Sequence, residues 1–350
     1  MISFFHPTRW LAHLVGLVWG APTARRALRL SARLYRPKTA RARWRSFRFI
    51  ARTLWYGRTS AQWFEFIDAN RFRRRLIRLH PSLAEKLHRP YRRCDLDAAA
   101  RLSYLIAHYL AVEALGWESI VLSLCVQPLT IAVFMGKDMI ERRLQLDHSN
   151  QFAKEGELCM HLCCGQKRVF SAAWSFLGSP AASADISNLC LDIGCLQGPD
   201  DRAAQDLVRT TTKALHRSRP RDFLVTAMGF LAGAASAQSL IGVASSRHVY
   251  RHWRKRRDIS FDYDSFWIER DGLKRSDGDY ELLLDSECTS IEQVPSNKRA
   301  EARRRQALTA DVQSQITGAI VAGTRHATRH RTPAFARTGE PVEISAARID

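Results

Sequence analysis

The hydrophobic period of the chain changes near residue 116, and this change constrains the fold more than any other feature. Before it, apolar residues recur at steps of three and four, as one helical face requires. A long apolar-periodic piece covers residues 96–115, and breaks fall at His80-Pro81 and Arg89-Pro90-Tyr91. After it, short apolar runs occupy residues 119–133, 158–163, 170–177 and 189–196, with Gly165, Gly178, Pro180 and Asn188 between them. Runs of that length bounded by turn formers read as successive antiparallel strands. Asp200 and Asp201 can cap a helix over 202–216 that Pro220 ends. A helix over 222–235, a strand over 239–244, a helix over 246–256 and strands near 259–269 and 280–284 complete the order. This predicts an α+β chain, an N-terminal helical region followed by a mixed sheet flanked by helices.

Charge divides the chain differently. Its 350 residues carry a formal net charge of +20. Residues 1–93 hold 22 basic and 3 acidic side chains, and residues 94–296 hold 22 and 26. An anionic partner is therefore expected at the N-terminal segment. Arg26, Arg29, Arg33 and Arg36 share one helix face up to Pro37; Arg41, Arg45, Arg48 and Arg52 share another, opposite Trp44, Phe47, Ala51, Leu54 and Trp55. Such a basic amphipathic segment, residues 25–58, either docks its apolar face on the neighbouring domain or lies on an anionic membrane surface. Nucleic acid ranks last, because no helix-turn-helix, zinc-finger or RNA-binding signature accompanies the charge. Three segments follow: a basic amphipathic helical segment over 1–58, an α+β domain over 59–296 (helical over 59–116, sheet-rich over 117–296), and a short basic helix with a disordered tail over 297–350.

Residues 10–20 are apolar apart from His13, too few to cross a bilayer, and only Arg9 precedes them while Arg25, Arg26 and Arg29 follow, the reverse of a secretion signal. The uncharged stretch 223–243 is long enough to span but is diluted by Gln238, glycines and serines, and reads as a helix followed by a strand. The eight cysteines show no C-x-x-C pairing, so reduced thiols in a cytoplasmic protein are expected, peripheral to the inner membrane where the basic segment binds it, with no metal site.

A string of motifs then carries a resemblance. His80-Pro81, Arg89-Pro90-Tyr91, Arg101 with His108-Tyr109, Glu155-Gly156-Glu157-Leu158, Ile193-Gly194 with Gln197-Gly198, Thr212-Lys213 with His216 and Arg219-Pro220, Gly242-Val243 with His248 and Tyr250, and Asp262-Tyr263-Asp264 with Phe266-Trp267 occur in this order. In these the chain resembles the VirK/YbjX family of Gram-negative bacteria, a bacterial domain of unknown function (535). The resemblance implies an envelope role, with links to virulence, surface-protein display and antimicrobial-peptide tolerance, and an envelope protein or lipid as partner. The N-terminal arginine helices lie largely outside it.

The order of elements also looks like the GNAT acyltransferase arrangement, in which backbone N–H groups at a helix N-terminus hold the pyrophosphate of coenzyme A. Here that loop is 196–201. It lacks the Q/R-x-x-G-x-G/A pattern, and Asp200 and Asp201 repel a pyrophosphate, while Arg202, Arg209 and Lys213 offset them. Gln197, Gly198, Arg202, Arg209 and Lys213 are the candidates for binding acyl-coenzyme A. Candidates for acid–base work are His108, Tyr109, Glu155, Glu157, His248, Asp262 and Asp264. Each has a plainer role open to it: a buried, bonded imidazole for His108, turn residues for Glu155 and Glu157, and a solvent-facing pair for Asp262 and Asp264. The last two otherwise form an acidic wall on a half-buried strand, beside a cationic or amine substrate. His248 and His252 stand four apart, with no third metal ligand.

Overall fold

The computed structural model describes residues 20–35, 39–148, 150–178, 188–199, 202–251, 259, 261–284 and 294–329. The first third is helical: α1 (Gly20–Leu34), α2 (Ala40–Trp55), α3 (Gly57–Ala69), α4 (Arg71–Leu79), a 3-10 helix (Pro81–His88), α5 (Ala98–Ala114) and α6 (Glu118–Leu124). Side chains cap these where short polar residues stand. Thr39 accepts from the Ala42 N–H at 3.2 Å, Asn70 from Phe72 at 2.8 Å and Asp97 from Ala100 at 2.8 Å. His80 leaves the helical region before Pro81, as the proline ring demands.

Eight strands follow among the described residues: β1 (Leu129–Met135), β2 (Glu141–Asp147), β3 (Leu158–Cys164), β4 (Lys167–Leu177), β5 (Cys190–Gln197), β6 (Ser239–Gly242), β7 (Leu273–Lys274) and β8 (Tyr280–Leu283). They form one sheet in the order β1-β2-β3-β4-β5-β6-β8-β7. Every pairing is antiparallel except β5 with β6. Parallel neighbours need a crossover, and α7 (Arg202–Ala214) and α8 (Pro220–Ala234) supply it. The last helices are α9 (Tyr263–Ile268) and α10 (Ser296–Arg329). The expected helical region followed by a mixed sheet flanked by helices is what forms.

The sheet is buried between helices, with Leu144, Leu146, Leu162, Trp174, Phe176, Leu191 and Ile193 in its core. One apolar cluster joins these to Ala27 and Leu30 of α1, Phe49 of α2, Trp63 of α3 and Ile316 of α10. The uncharged stretch 223–243 is core, with Leu224, Met228, Leu231 and Leu240 buried. Among the described residues no single helix is long and apolar enough to cross a membrane.

Four expectations are corrected. The run 119–133 divides into α6 and β1, because Ile120, Val121 and Leu124 bury at helical spacing and Pro128 separates them from the strand. β2 is an unforeseen strand; its charged sequence conceals an alternation that buries Arg142, Leu144 and Leu146, Arg142 being paired with Asp138 at 2.7 Å. The strand expected over 259–269 is instead α9, with Tyr263, Phe266 and Trp267 buried at the i, i+3, i+4 spacing. The short basic helix after residue 296 is a 34-residue helix whose Val312, Ile316 and Ile320 pack into the core. Of the helix expected over 246–256, a 3-10 turn (Val249–Arg251) is present and residues 252–256 lie outside the described set, as do residues 330–350 of the tail.

Candidate functional site

α2 inverts the expected orientation of a basic amphipathic helix. Trp44, Phe47, Leu54 and Trp55 are 59, 60, 52 and 77% exposed, and Trp44 stacks on Phe47 with ring centroids 5.6 Å apart. The apolar face therefore does not dock on the domain. What anchors the helix is a narrow stripe, Phe49 and Thr53 buried and Ser46 bonded to Ser31 of α1 at 2.5 Å. The arginine face turns instead toward the 3-10 helix and α5 across a cleft of about 760 Å³, lined by Arg45, Arg48, Arg52, Arg89, Arg101 and Lys154 with aromatic walls. His88 lies at its base, stacked on Tyr56 and within 3.0 Å of the Ser60 hydroxyl through Nε2. Burial, with Arg52 and Arg101 nearby, lowers its pKa to about 3.

Five of the acid–base candidates fall into two interior groups rather than one site. His108, Tyr109 and Glu157 meet below the sheet. Tyr109 donates to Glu157, Lys86 donates to Glu157 at 2.5 Å, and His108 Nδ1 accepts the Phe176 N–H at 3.0 Å. Burial pushes the Glu157 carboxyl up, and Lys86, then His108 and Tyr109, bring it down to about 2. Burial lowers His108 to about 3. A fully buried ion pair beside a neutral imidazole holds the 3-10 helix and α5 to the sheet.

Glu155 and His248 belong to the second group, where β5 and β6 part. The two strands pair through residues 190–193 and 239–242, and the Val243 N–H still reaches the Ile193 carbonyl at 3.0 Å. Beyond that point Tyr263 of α9 fills the fork, its hydroxyl accepting from the Leu196 N–H at 3.0 Å and donating to the Leu196 carbonyl at 3.2 Å. His248 stacks between Tyr250 and Tyr263 at 5.8 and 5.3 Å, with a pKa lowered by burial to about 4. Burial raises the Glu155 carboxyl to about 7, and its Oε2 has no partner among the described residues. Close approach explains the motif glycines: a Cβ on Gly156 would meet the Trp174 nitrogen at 2.5 Å, and one on Gly194 the Glu155 carbonyl oxygen at 1.9 Å.

The acidic wall is not formed. Asp262 caps α9, accepting from the Ser265 N–H at 3.2 Å and hydroxyl at 2.6 Å, and Asp264 accepts the Ser245 N–H at 3.1 Å. Their strand-like alternation coincides with a capped helical turn, which is why it misleads. Gln197 and Gly198 end β5, half-buried, and Lys213 and Arg209 lie exposed on α7, Arg209 paired with Asp206 at 3.1 Å. The Arg202 side chain, Asp200, Asp201 and His252 lie outside the described residues. Sequence reasoning did not bring Arg89, Arg101 and Lys154 to the α2 arginines; the basic helix spacing was the only trace of a cleft.

Residues 38–318 match the family described as Protein of unknown function (DUF535). The chain is 28% identical over 285 residues to the "Uncharacterized protein YbjX" of Escherichia coli (strain K12), covering 78% of this chain and 83% of that one. It is 31% identical over 219 residues to an "Uncharacterized protein" of Haemophilus influenzae, covering 61% and 69%. The matched span takes in most of the helical region, the whole sheet and most of α10.

Proposed function

We propose that this chain, which belongs to the DUF535 family, is a membrane-peripheral factor of the bacterial envelope that rests on an anionic lipid surface through α2. The exposed apolar row Trp44, Phe47, Leu54 and Trp55 carries the reading, with Arg41 and Arg43 exposed beside it. Aromatic rings enter the headgroup boundary, and each arginine near an anionic surface contributes about 1 kcal/mol. The negative potential of the cytoplasmic leaflet suits this segment, and the inner membrane is then the surface in question. The envelope setting follows from the family resemblance, with its links to virulence, surface-protein display and antimicrobial-peptide tolerance.

Flotation of the full chain with phosphatidylglycerol vesicles tests this. The native protein is expected to float, and Trp44→Ser with Phe47→Ser to remain in the dense fraction; equal flotation of both removes the reading.

The parting of the parallel β5–β6 pair ahead of α7 favours a second reading, acyl transfer from acyl-coenzyme A to an envelope component. Two features weigh against it: the Tyr263 hydroxyl takes the Leu196 backbone groups in the fork, and Arg209 is engaged by Asp206. Calorimetric titration with acetyl- and long-chain acyl-coenzyme A separates the two. Micromolar binding, about −8 kcal/mol, brings acyl transfer forward, and no heat at about 1 mM ligand leaves the binding factor.

A further inference from the structure

The cleft behind the apolar row gathers cations from four separate parts of the fold. Arg45, Arg48 and Arg52 reach it from α2, Arg89 from the end of the 3-10 helix, Arg101 from α5 and Lys154 from the segment before β3. Glu85 is the one carboxylate on its wall among the described residues, and it is already paired with Arg89. Arg45 and Arg48 have no acidic partner among the described residues.

Holding so many like charges together is unfavourable unless something compensates. The repulsion is visible at Arg89, whose pKa is lowered first by burial and then by Arg45 and Arg48. Arg101 is nine-tenths buried, held by two backbone acceptors, Nε on the Asp97 carbonyl at 3.0 Å and Nη1 on the Arg89 carbonyl at 2.5 Å, and by the Tyr56 ring 5.9 Å from its guanidinium, with no carboxylate partner among the described residues. His88 is equally buried, and its Nδ1 has no partner among the described residues. When the Ser60 hydroxyl donates to Nε2, Nδ1 carries the hydrogen and becomes one more donor at the cleft base.

We propose that this cleft binds a phosphate monoester or diphosphate group carried on an apolar body. Guanidiniums converging from several directions suit a tetrahedral group with three or more charged oxygens, whereas a planar carboxylate satisfies one fork. Tyr35, Phe49, Trp55 and Tyr56 provide the apolar walls for the rest of the ligand. Trp55, exposed at the rim, joins the cleft to the outward face of α2. A volume of about 760 Å³ accommodates a single head group rather than a polymer. The ligand's source is either a phosphate-bearing lipid or a free phosphorylated metabolite.

The test uses the full chain and two probes, inorganic pyrophosphate and dihexanoyl phosphatidic acid below its micellar concentration, followed by calorimetry. Both are expected to bind at sub-millimolar concentration, and Arg45→Gln with Arg48→Gln to weaken each about ten-fold or more. Both arginines are exposed, so this variant keeps the native melting temperature or exceeds it. Arg45→Lys with Arg48→Lys, which preserves charge but not the forks, binds with intermediate strength. Arg209→Gln with Lys213→Gln on α7 leaves binding unchanged. Tighter binding of the lipid assigns the site to a lipid head group, and binding of pyrophosphate as tight or tighter assigns it to a free phosphate compound. No binding of either probe at about 1 mM, or binding that survives Arg45→Gln with Arg48→Gln, overturns the proposal. Trp44→Ser with Phe47→Ser retains pyrophosphate binding, so the cleft and the membrane reading fail separately.

Discussion

Glu155 and Glu157 are two residues apart and have opposite chemistry. Glu157 is buried as an anion because Lys86 Nζ and the Tyr109 hydroxyl reach it, whereas Glu155, buried without a cation at its carboxylate, is raised to about 7. Removing one member of such a buried pair strands the other charge, at a cost of about 3–5 kcal/mol. Lys86→Met is expected to lose that much in urea denaturation, and Lys86→Met with Glu157→Gln distinctly less than the two single losses together. Strictly additive losses would show that the pair is not coupled. Tyr263→Phe removes the hydroxyl that satisfies both Leu196 backbone groups, and about 1–3 kcal/mol should go with it; an unchanged denaturation midpoint would contradict that role. The motif Glu155-Gly156-Glu157 was legible as something special, but which glutamate is charged depends on Lys86, seventy-one residues away from Glu157.

At the scale of elements, pattern located most helices and strands and failed where two periods look alike. The residues Asp262-Tyr263-Asp264 that open α9 alternate polar and apolar as a strand does, and the cap at Asp262 and the fit of Trp267 against Val243 select a helix. α2 shows a different failure. Its amphipathic pattern is real, but the face that a helix buries is decided by its neighbours, here Phe49 and Thr53 under α1 with the arginines facing a cleft. α10 is longer than its sparse apolar content suggests, because Val312, Ile316 and Ile320 at i, i+4 and i+8 suffice once a surface is present. It also covers the sheet edge: the Gln315 side chain accepts from the Val133 N–H at 2.8 Å and donates to its carbonyl at 2.9 Å, as a neighbouring strand would. Gln315→Ala is therefore expected to speed exchange of the Val133 amide hydrogen about ten-fold or more at constant pH. Unaltered exchange would mean that the edge is protected some other way.

The whole molecule turns part of its N-terminal charge inward. Arg26 pairs with Asp68 at 2.5 Å, Arg73 with Glu113 at 2.6 Å, and Arg92 and Arg93 with Asp192 at 2.5 and 2.7 Å. Asp279 extends the last of these networks to Arg93 and Arg247, each at 2.8 Å. Buried histidines make the fold sensitive to acid. His80, His88 and His108 are held near 3 and His148 and His248 near 4, each chiefly by burial, against 6.5 when unfolded. A lowered histidine pKa stabilises the fold fully above about 6.5 and is lost as pH falls toward the folded value. Glu157, lowered to about 2 from 4.5, adds its loss at still lower pH. Glu155 acts oppositely, its contribution being complete below 4.5 and lost as pH rises through about 7. The unfolding free energy should therefore drop steeply from pH 6.5 to 4.5, by on the order of 1 kcal/mol per histidine per pH unit; a flat profile would show that these imidazoles are hydrated. By itself the sequence determined what depends on local spacing and composition: the helical region, the mixed sheet after it, the family and the excess of positive charge at one end. The tertiary structure alone decided which face of α2 is covered, which acids and bases meet, and that six cations share one cleft. Those depend on residues far apart in the chain, and no local period encodes where such partners come together.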